Sequence, residues 1–410
     1  MRLTTMAGVV TAAGVLTAGA AHAQSAGNAA YQDYFRRACI GSSGQLNGLC
    51  VASRGGELSG DSESSLNPNQ TGVANSNALN RAQALAAVTE ARLAALREDG
   101  AATEAAAIGP GGFSLFASGQ IEGSNQDRGP YDNERGFEGD ARRITVGLDR
   151  RFGSGALGAS LTHSDYGSDF EANRPGNAFT PGADAGGIDS KDVNVTVFAT
   201  FAPAPNAWVD ASLGLAWANY DFRRNAVFQE SNRIIPQTNV RASGSSDGRE
   251  VHASVGAGYD AQLGTLSLGS YLRARYVRSK IDAYSETDPG AGLALNISAA
   301  RASSLAGVLG LRADYAVSAS WGVLVPQARV ELEREFKDDP RVTTTSLLLD
   351  PARNPFRVTN DAPDRNYVNA GVGLLLVLPN GLMPYVDYER MMGYRDFSRH
   401  RITAGLRVEF

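Results

Sequence analysis

From residue 113 to the end of the chain, apolar and polar residues alternate with a period of two. The pattern is clear at 193–197, where three valines alternate with Asn194 and Thr196. Such alternation is typical of β-strands with one apolar and one polar face. Twelve segments follow it: 113–121, 143–149, 157–163, 193–201, 209–217, 251–260, 266–279, 303–315, 322–335, 366–378, 382–390 and 400–410. We therefore predict about twelve antiparallel strands.

The connections between these segments alternate between short and long. The short ones are the tight turns FGSGA, APAPN, LGT, VSAS and PNG. The long ones are the polar stretches 123–138, 166–187, 223–247, 284–292 and 337–364, with a shorter one near Gly393. A soluble sandwich with one wet face also shows period-two alternation. Short turns at one end and long loops at the other are the asymmetry of an outer-membrane barrel, which this chain is predicted to form.

The polar positions of the strands carry small residues and charges of both signs, as in a water-filled lumen. Aromatic residues such as Phe152 and Trp217 lie near strand ends, where interfacial girdles belong. Ten charged residues are predicted to line the lumen and face a helix within it: Arg143, Arg273, Arg275, Arg329, Glu331, Glu333, Asp387, Glu389, Arg401 and Arg407. The predicted fold is all-β, a transmembrane antiparallel up-and-down β-barrel of about twelve strands over residues 110–410.

Residues 73–109 have the pattern of a linker α-helix. Ala, Leu, Glu and Arg dominate this stretch, and all four are strong helix formers. Asn75 or Asn77 is a candidate helix cap. Five apolar residues are spaced for one helical face: Leu79, Ala82, Ala86, Leu93 and Leu96. Charges such as Arg81 and Glu90 exclude contact with lipid. The helix is therefore predicted to plug the barrel pore, with an ordinary solvent-facing helix as the alternative.

The N-terminus predicts export from the cytoplasm. Residues 1–23 have the regions of a signal peptide: Arg2, a short apolar stretch and the small-x-small site Ala21-His22-Ala23. Residues 24–72 are polar, without a sustained period, and are predicted to form a short passenger-like segment that is largely disordered. Cys39 and Cys50 are predicted to form a disulfide in an oxidising compartment, with two free thiols as the alternative.

Composition and motifs narrow the function. The net charge is -5, which does not favour a basic nucleic-acid surface. After the signal peptide no run of about 18 apolar residues is present, so a helical membrane span is excluded. GSSDG (244–248) matches the nucleophile-elbow spacing but lacks its strand-turn-helix context. His163 and Asp165 could lie near a barrel rim, without assigned catalytic partners. We predict no enzymatic activity, no cofactor and no metal.

The last strand ends on a regular apolar face. Its members are Ile402, Ala404, Leu406, Val408 and the terminal Phe410. This face resembles the C-terminal signal that the barrel-assembly machinery recognises. The order of signal peptide, exported segment, helix and strands resembles a monomeric (type V) autotransporter. That resemblance implies a Gram-negative outer-membrane translocator that displays its N-terminal segment at the cell surface. Its implied partners are outer-membrane lipid, the assembly machinery and periplasmic chaperones, and the implied state is a monomer.

The chain departs from that family in its passenger. Only about fifty residues lie between the predicted signal peptide and the helix, without a repeat or a catalytic set. A passive pore, a structural barrel or a loop-mediated adhesin therefore remains an alternative. Some family members cut their own linker at an Asn inside the pore. NSNALNR (75–81) resembles that site but lacks the adjacent Asn pair.

Overall fold

The computed structural model describes residues 26–102, 113–128, 135–173, 180–182, 184–379 and 381–409. The predicted signal peptide and Phe410 lie outside the described residues. The described chain begins with helices α1 (Ala26–Cys39), α2 (Gly44–Ala52) and α3 (Gly60–Leu66). A 3-10 turn at Asn69–Gly72 then leads into the long helix α4 (Val73–Ala102). None of the described helices is long and apolar enough to cross a membrane.

The rest of the described chain is mostly strand. The strands are β1 (Phe113–Gln126), β2 (Phe137–Phe152), β3 (Gly155–Phe170), β4 (Gly186–Ala204), β5 (Ala207–Phe228), β6 (Thr238–Leu263), β7 (Leu266–Ile281), β8 (Tyr284–Ser285), β9 (Leu295–Ile297), β10 (Ala300–Tyr315), β11 (Val317–Ala319), β12 (Gly322–Glu335), β13 (Val342–Leu347), β14 (Phe356–Thr359), β15 (Asn366–Val377), β16 (Leu382–Met392) and β17 (Phe397–Glu409).

Twelve of these strands form a closed antiparallel barrel. β1 to β7 pair in chain order, β7 pairs with β10, β10 with β12, and β12 with β15. β16 and β17 follow, and β17 closes the ring by pairing with β1 from Ser114–Glu409 to Gln126–Phe397. Each of the twelve predicted segments lies within one of these strands or overlaps it. The predicted up-and-down barrel is confirmed.

The alternating pattern separates the two faces of the barrel wall. In β2 the Ile144 side chain is 65% exposed on the outer face, whereas neighbouring Arg143 is 2% exposed on the inner face. In β4 the same holds for Val193 outside and Asn194 inside. A wall with apolar residues outside and charged residues inside fits a lipid surround and a polar lumen.

The β5–β6 hairpin is longer than its sequence pattern predicts. Residues 223–247 were expected to be a polar loop, but β5 continues to Phe228 and β6 begins at Thr238. That expectation is wrong because the inward residues of the extension, Ala226, Phe228 and Val240, are buried against the N-terminal helices. The two other longest loops form a small sheet in the order β14-β13-β9-β8.

Residues 26–72, which we call the cap, form a folded unit on the loops. The predicted disorder of this segment is wrong for these residues. Tyr31, Tyr34 and Phe35 of α1 are almost fully buried, and their core includes Phe228 of β5 and Phe356 of β14. The segment has few apolar residues of its own, so its sequence gives no sign of a core that the loops complete. Cys39 and Cys50 form a disulfide between α1 and α2.

Backbone pairing also ties the cap to the β5 extension. Ser59 N donates to the carbonyl of Gln229 at 3.0 Å, and Ser231 N donates to the carbonyl of Glu57 at 2.9 Å. The Ser65 hydroxyl accepts from Val227 N at 2.8 Å. These bonds satisfy strand-end groups that would otherwise need water.

Candidate functional site in the plugged lumen

Helix α4 runs through the barrel from the long-loop end to the short-turn end. Near its start, Asn77 Nδ2 donates to Ser168 Oγ, close to the loop end of β3, at 3.4 Å. Near its other end, the carbonyl of Leu96 accepts from Arg151, close to the β2–β3 turn, at 2.8 Å. Residues 103–109 of the predicted helix lie outside the described residues.

The barrel surrounds α4, so burial is not confined to one face. All five residues of the predicted apolar face are buried: Leu79, Ala82, Ala86, Leu93 and Leu96. Asn75, Arg81 and Arg92 are equally buried. Asn75 and Asn77 lie within the helix, because the 3-10 turn already leads into it at Val73. The prediction that one of them caps the helix is therefore wrong.

Arg81 anchors the first half of α4 to the barrel wall. Its guanidinium donates to Glu250 Oε2 of β6 at 2.6 Å and to the Tyr220 hydroxyl of β5 at 2.7 Å. Its Nε lies 3.3 Å from Asp192 Oδ1 of β4. Arg81, Asp192 and Glu250 have side chains at most 3% exposed. One helix guanidinium is thus shared by two wall carboxylates, each of which would be costly to bury alone.

Two further arginines anchor the second half of α4. Arg92 binds Asp149 of β2 through two nitrogens, at 2.6 and 2.7 Å. Such a bidentate pair fixes orientation as well as position. Arg97 NH1 donates to Asp210 Oδ2 of β5 at 2.9 Å, and its guanidinium lies 3.7 Å from the Trp208 ring centroid. Both contacts fix the helix against the wall near the short-turn end.

The buried acid of α4 has the opposite arrangement. Glu90 accepts from Arg275 of β7 at 2.6 and 2.8 Å and lies 3.0 Å from Arg273 NH1 of the same strand. Arg275 also binds Glu333 of β12 at 2.7 Å. The helix therefore presents arginines where the wall is acidic, and its glutamate where the wall is basic.

A cavity of about 120 Å³ remains between α4 and the β12–β17 part of the wall. Its helix side is formed by small residues that include Ala87, Ala91 and Ala94. Its wall side carries Arg329, which binds Asp387 at 2.6 Å and Glu389 at 2.7 Å. Arg401 also binds Glu389. In this half of the lumen the charges pair within the wall.

The ten charges predicted from sequence lie on inward positions of the described strands. Direct ion pairs to α4 involve Arg273 and Arg275. The acids that bind the arginines of the helix were absent from that set: Asp149, Asp192, Asp210 and Glu250. Each occupies an inward position of an alternating strand, and this position is the feature of the sequence that could have identified these acids. The three helix arginines were the complementary signal.

The weaker sequence candidates lie away from this site. His163 and Asp165 form a pair at 3.4 Å on the outer face of β3, each about half exposed. The GSSDG stretch lies inside strand β6, not at a strand-to-helix turn. Among the described residues, no group of three or more His, Cys, Asp or Glu side chains could hold a metal ion.

The barrel thus has an outer apolar face, a polar lumen and a helix that runs through the lumen. The family model for the autotransporter beta-domain matches residues 117–389. This chain belongs to the autotransporter beta-domain family. It is therefore an outer-membrane translocator domain, as the resemblance in the sequence implied.

Two solved structures are similar to this autotransporter, and the first shares its fold. The translocator domain of autotransporter NalP from Neisseria meningitidis matches with a TM-score of 0.57 and 17% identity, over 81% of this chain and 98% of that chain. The beta domain of the Bordetella autotransporter BrkA has a TM-score of 0.45 and 17% identity, over 73% of this chain and 100% of that chain. A comparison with curated proteins finds no match.

Proposed function

We propose that this autotransporter carries residues 26–72 to the cell surface and keeps them there as a cap on its own loops. The observation that carries the proposal is the shared core. Tyr31 of α1 packs edge-on against Phe356 of β14 with ring centroids 5.2 Å apart, and Phe35 contacts Phe228 of β5 at 6.1 Å. Because the loops supply part of this core, the cap can complete its fold only where the loops are.

The path of the chain also supports transport of the N-terminal segment toward the cell surface. The cap contacts the long loops, which are the extracellular ones in outer-membrane barrels. β1 begins at the opposite, short-turn end, and α4 connects the two ends through the lumen. At about 1.5 Å per residue, a helix of this length is about 45 Å long, enough to pass through the whole barrel. The N-terminal segment must therefore pass through the barrel pore during assembly, before α4 occupies that pore.

Five further assignments belong to this proposal. The outward face of β17, with Ile402, Ala404, Leu406 and Val408, serves together with Phe410 as the signal for the barrel-assembly machinery. Periplasmic chaperones deliver the chain, which functions as a monomer. The chain stays uncut at Asn75 and Asn77 and catalyses no reaction. Support for an uncut chain comes from α4, which runs through both asparagines as regular helix.

Surface protease shaving of intact cells tests the display of the cap. An epitope is inserted beside Gly41, which lies in an exposed turn between α1 and α2. A matched control carries the same epitope beside Gly153, in the turn between β2 and β3. We expect protease to remove the first epitope and to spare the second until the outer membrane is permeabilised.

The opposite pattern would overturn the proposal. If the Gly41 epitope survives until permeabilisation, the N-terminal segment is periplasmic and the chain is better described as a pore or structural barrel. The mass of the chain from untreated cells tests the rest. A fragment that begins near residue 76 or 78 would show self-cleavage and would contradict a retained cap.

A further inference from the structure

The charged residues just outside the apolar belt differ between two parts of the barrel. These charged residues occupy outward-facing positions near the long loops, where the apolar residues of each strand are followed by polar ones. Cross-strand neighbours there have Cα atoms about 4.5–5.5 Å apart, so each row of paired residues is a row of contacts. The neighbours of each charged residue within its row determine whether that charge is neutralised by the protein itself.

On β2 to β6 the row alternates in charge. Arg142 pairs in register with Asp165, and Asp165 pairs with Lys191. Lys191 then pairs with Asn219, whose amide donates to Asp247 at 2.7 Å. Opposite charges side by side stabilise a sheet, so this part of the rim needs no external counterion.

On β6, β7 and β10 the next row toward the apolar belt is basic. Arg249 pairs in register with Lys280, and Lys280 pairs with Arg301. Arg278 lies two residues before Lys280 on the same outer face. All four side chains are exposed. We call these four residues the basic patch.

The acids near the basic patch do not balance it. Lys280 forms an ion pair with Asp282, which also interacts electrostatically with Arg249. Asp247 lies two residues before Arg249 on the same outer face, so two carboxylates neighbour four cations. Within the described residues, no carboxylate lies at ion-pair distance from Arg249, Arg278 or Arg301. Like charges directly opposite one another destabilise a sheet. Three arginines left in this position are explained if an anion from outside the protein lies between them.

The position of the patch identifies the source of that anion. Trp217 of β5 pairs in register with Arg249, and Val251 of β6 pairs in register with Arg278. Both of these apolar residues are exposed on the outer face. The patch thus begins where the lipid-facing belt ends, on the side of the extracellular loops, at the headgroup level of the outer leaflet.

We propose that the basic patch binds the phosphate groups of a diphosphorylated saccharolipid of the outer leaflet. Arginine forks match phosphate geometry and hold it through charge-assisted hydrogen bonds. Arg249 and Arg301 flank the site across β7, and Arg278 lies on the acyl-chain side. The inference requires the barrel to lie in the outer membrane and is independent of the display of the cap.

Native mass spectrometry of the purified full-length chain in a neutral detergent tests the patch. The probe is diphosphoryl lipid A, titrated against the wild type and the variant R249Q/R278Q/R301Q. The matched control is R142Q/K191Q/R223Q, which removes three outward charges that already have acidic neighbours. We expect the patch variant to lose at least about tenfold in affinity, since each charge-assisted bond to phosphate contributes strongly. We expect the control variant to bind as the wild type does.

Three results would overturn the inference. They are unchanged affinity in the patch variant, an equal loss in the control variant, and equal binding of dephosphorylated lipid A or phosphatidylglycerol by the wild type. Heat-dependent gel mobility verifies that each variant is folded. If the triple variant does not fold, the single variant R301Q replaces it, and the comparison of lipids on the wild type still decides the outcome.

Discussion

The two sides of the lumen contain the same kinds of charged residue but use them differently. On the β2–β7 side, acids of the wall bind arginines of α4, as Asp149 binds Arg92. On the β12–β17 side, wall charges that line a cavity bind one another directly, as Arg329 binds Asp387. Wall charge therefore places the helix against one side of the pore, while the charges of the other side pair with one another beside the cavity.

The difference shows how a polar pore can hold the helix α4 without a continuous hydrophobic contact between helix and wall. The helix buries several charged residues that lipid would exclude, and each has a wall partner of opposite sign. Removing one member of such a buried pair leaves the other uncompensated, which is far more costly than losing an exposed pair. Substitutions on the two sides should consequently differ in effect.

The largest effect is expected from R81A on the helix side. It leaves Asp192 and Glu250 buried without their counterion, and we expect a loss of about 3–5 kcal/mol in unfolding free energy. Urea unfolding of the purified barrel, followed by tryptophan fluorescence, measures it. The control is R36A, which removes an exposed ion pair of the cap to Glu57. Equal stability of R81A and the wild type would show that the wall does not need the helix charge.

A smaller effect on the unfolding free energy is expected from substitutions that enlarge an alanine on either face of α4. Ala82 is fully buried against Val277 of β7 and Ala302 of β10, whereas Ala91 is exposed to the cavity. A82L should cost about 1–3 kcal/mol because it overpacks the contact. A91L should be close to neutral because the cavity can accept the added atoms. Equal costs in the same urea assay would place the helix centrally in the pore.

On the cavity side, R329Q should cost only about 1 kcal/mol, the contribution of an ordinary hydrogen-bonded group. Glu389 keeps its ion pair with Arg401, and water in the cavity can solvate Asp387. The measurement is the urea midpoint, compared with that of R81A. A loss as large as that of R81A would remove the distinction between the two sides.

A pH-dependent effect is expected in the cap, where a buried acid lacks the partners that Glu90 has. Burial raises the pKa of Glu63 to about 7, despite the opposing effect of Arg36. Its Oε2 has no hydrogen-bond partner among the described residues. An unfolded Glu has a pKa of about 4.3, so the folded cap retains a proton that the unfolded chain releases between these values. Cap stability should thus fall as pH rises from about 4.5 to 7 and then level off.

Hydrogen exchange of the α3 amides, corrected for intrinsic rates, measures this dependence at pH 5 and pH 8. The variant E63Q should show little change between the two. A wild type that is equally protected at both values, or an E63Q chain with the same dependence, would contradict the raised pKa.

The barrel could be predicted from sequence because every strand carries its own signal. Alternation in residues such as Val193 and Asn194 records which side faces lipid, and this requirement is local to each strand. The cap could not be predicted, because Tyr31 and Phe35 find their partners about 200 to 300 residues away in loops whose sequences read as polar. Lumen charges were recognisable as inward-facing, but their pairing depends on where α4 lies, which strand periodicity does not encode.

Single-channel conductance in planar bilayers tests the central claim, that α4 blocks the lumen and is held there by wall charges. The wild type should insert with low conductance at both polarities, and a variant that loses two of the three arginine anchors, R81A/R92A, should open to large conductance states. A wild type that conducts as an open pore, or a double variant as closed as the wild type, would contradict the account.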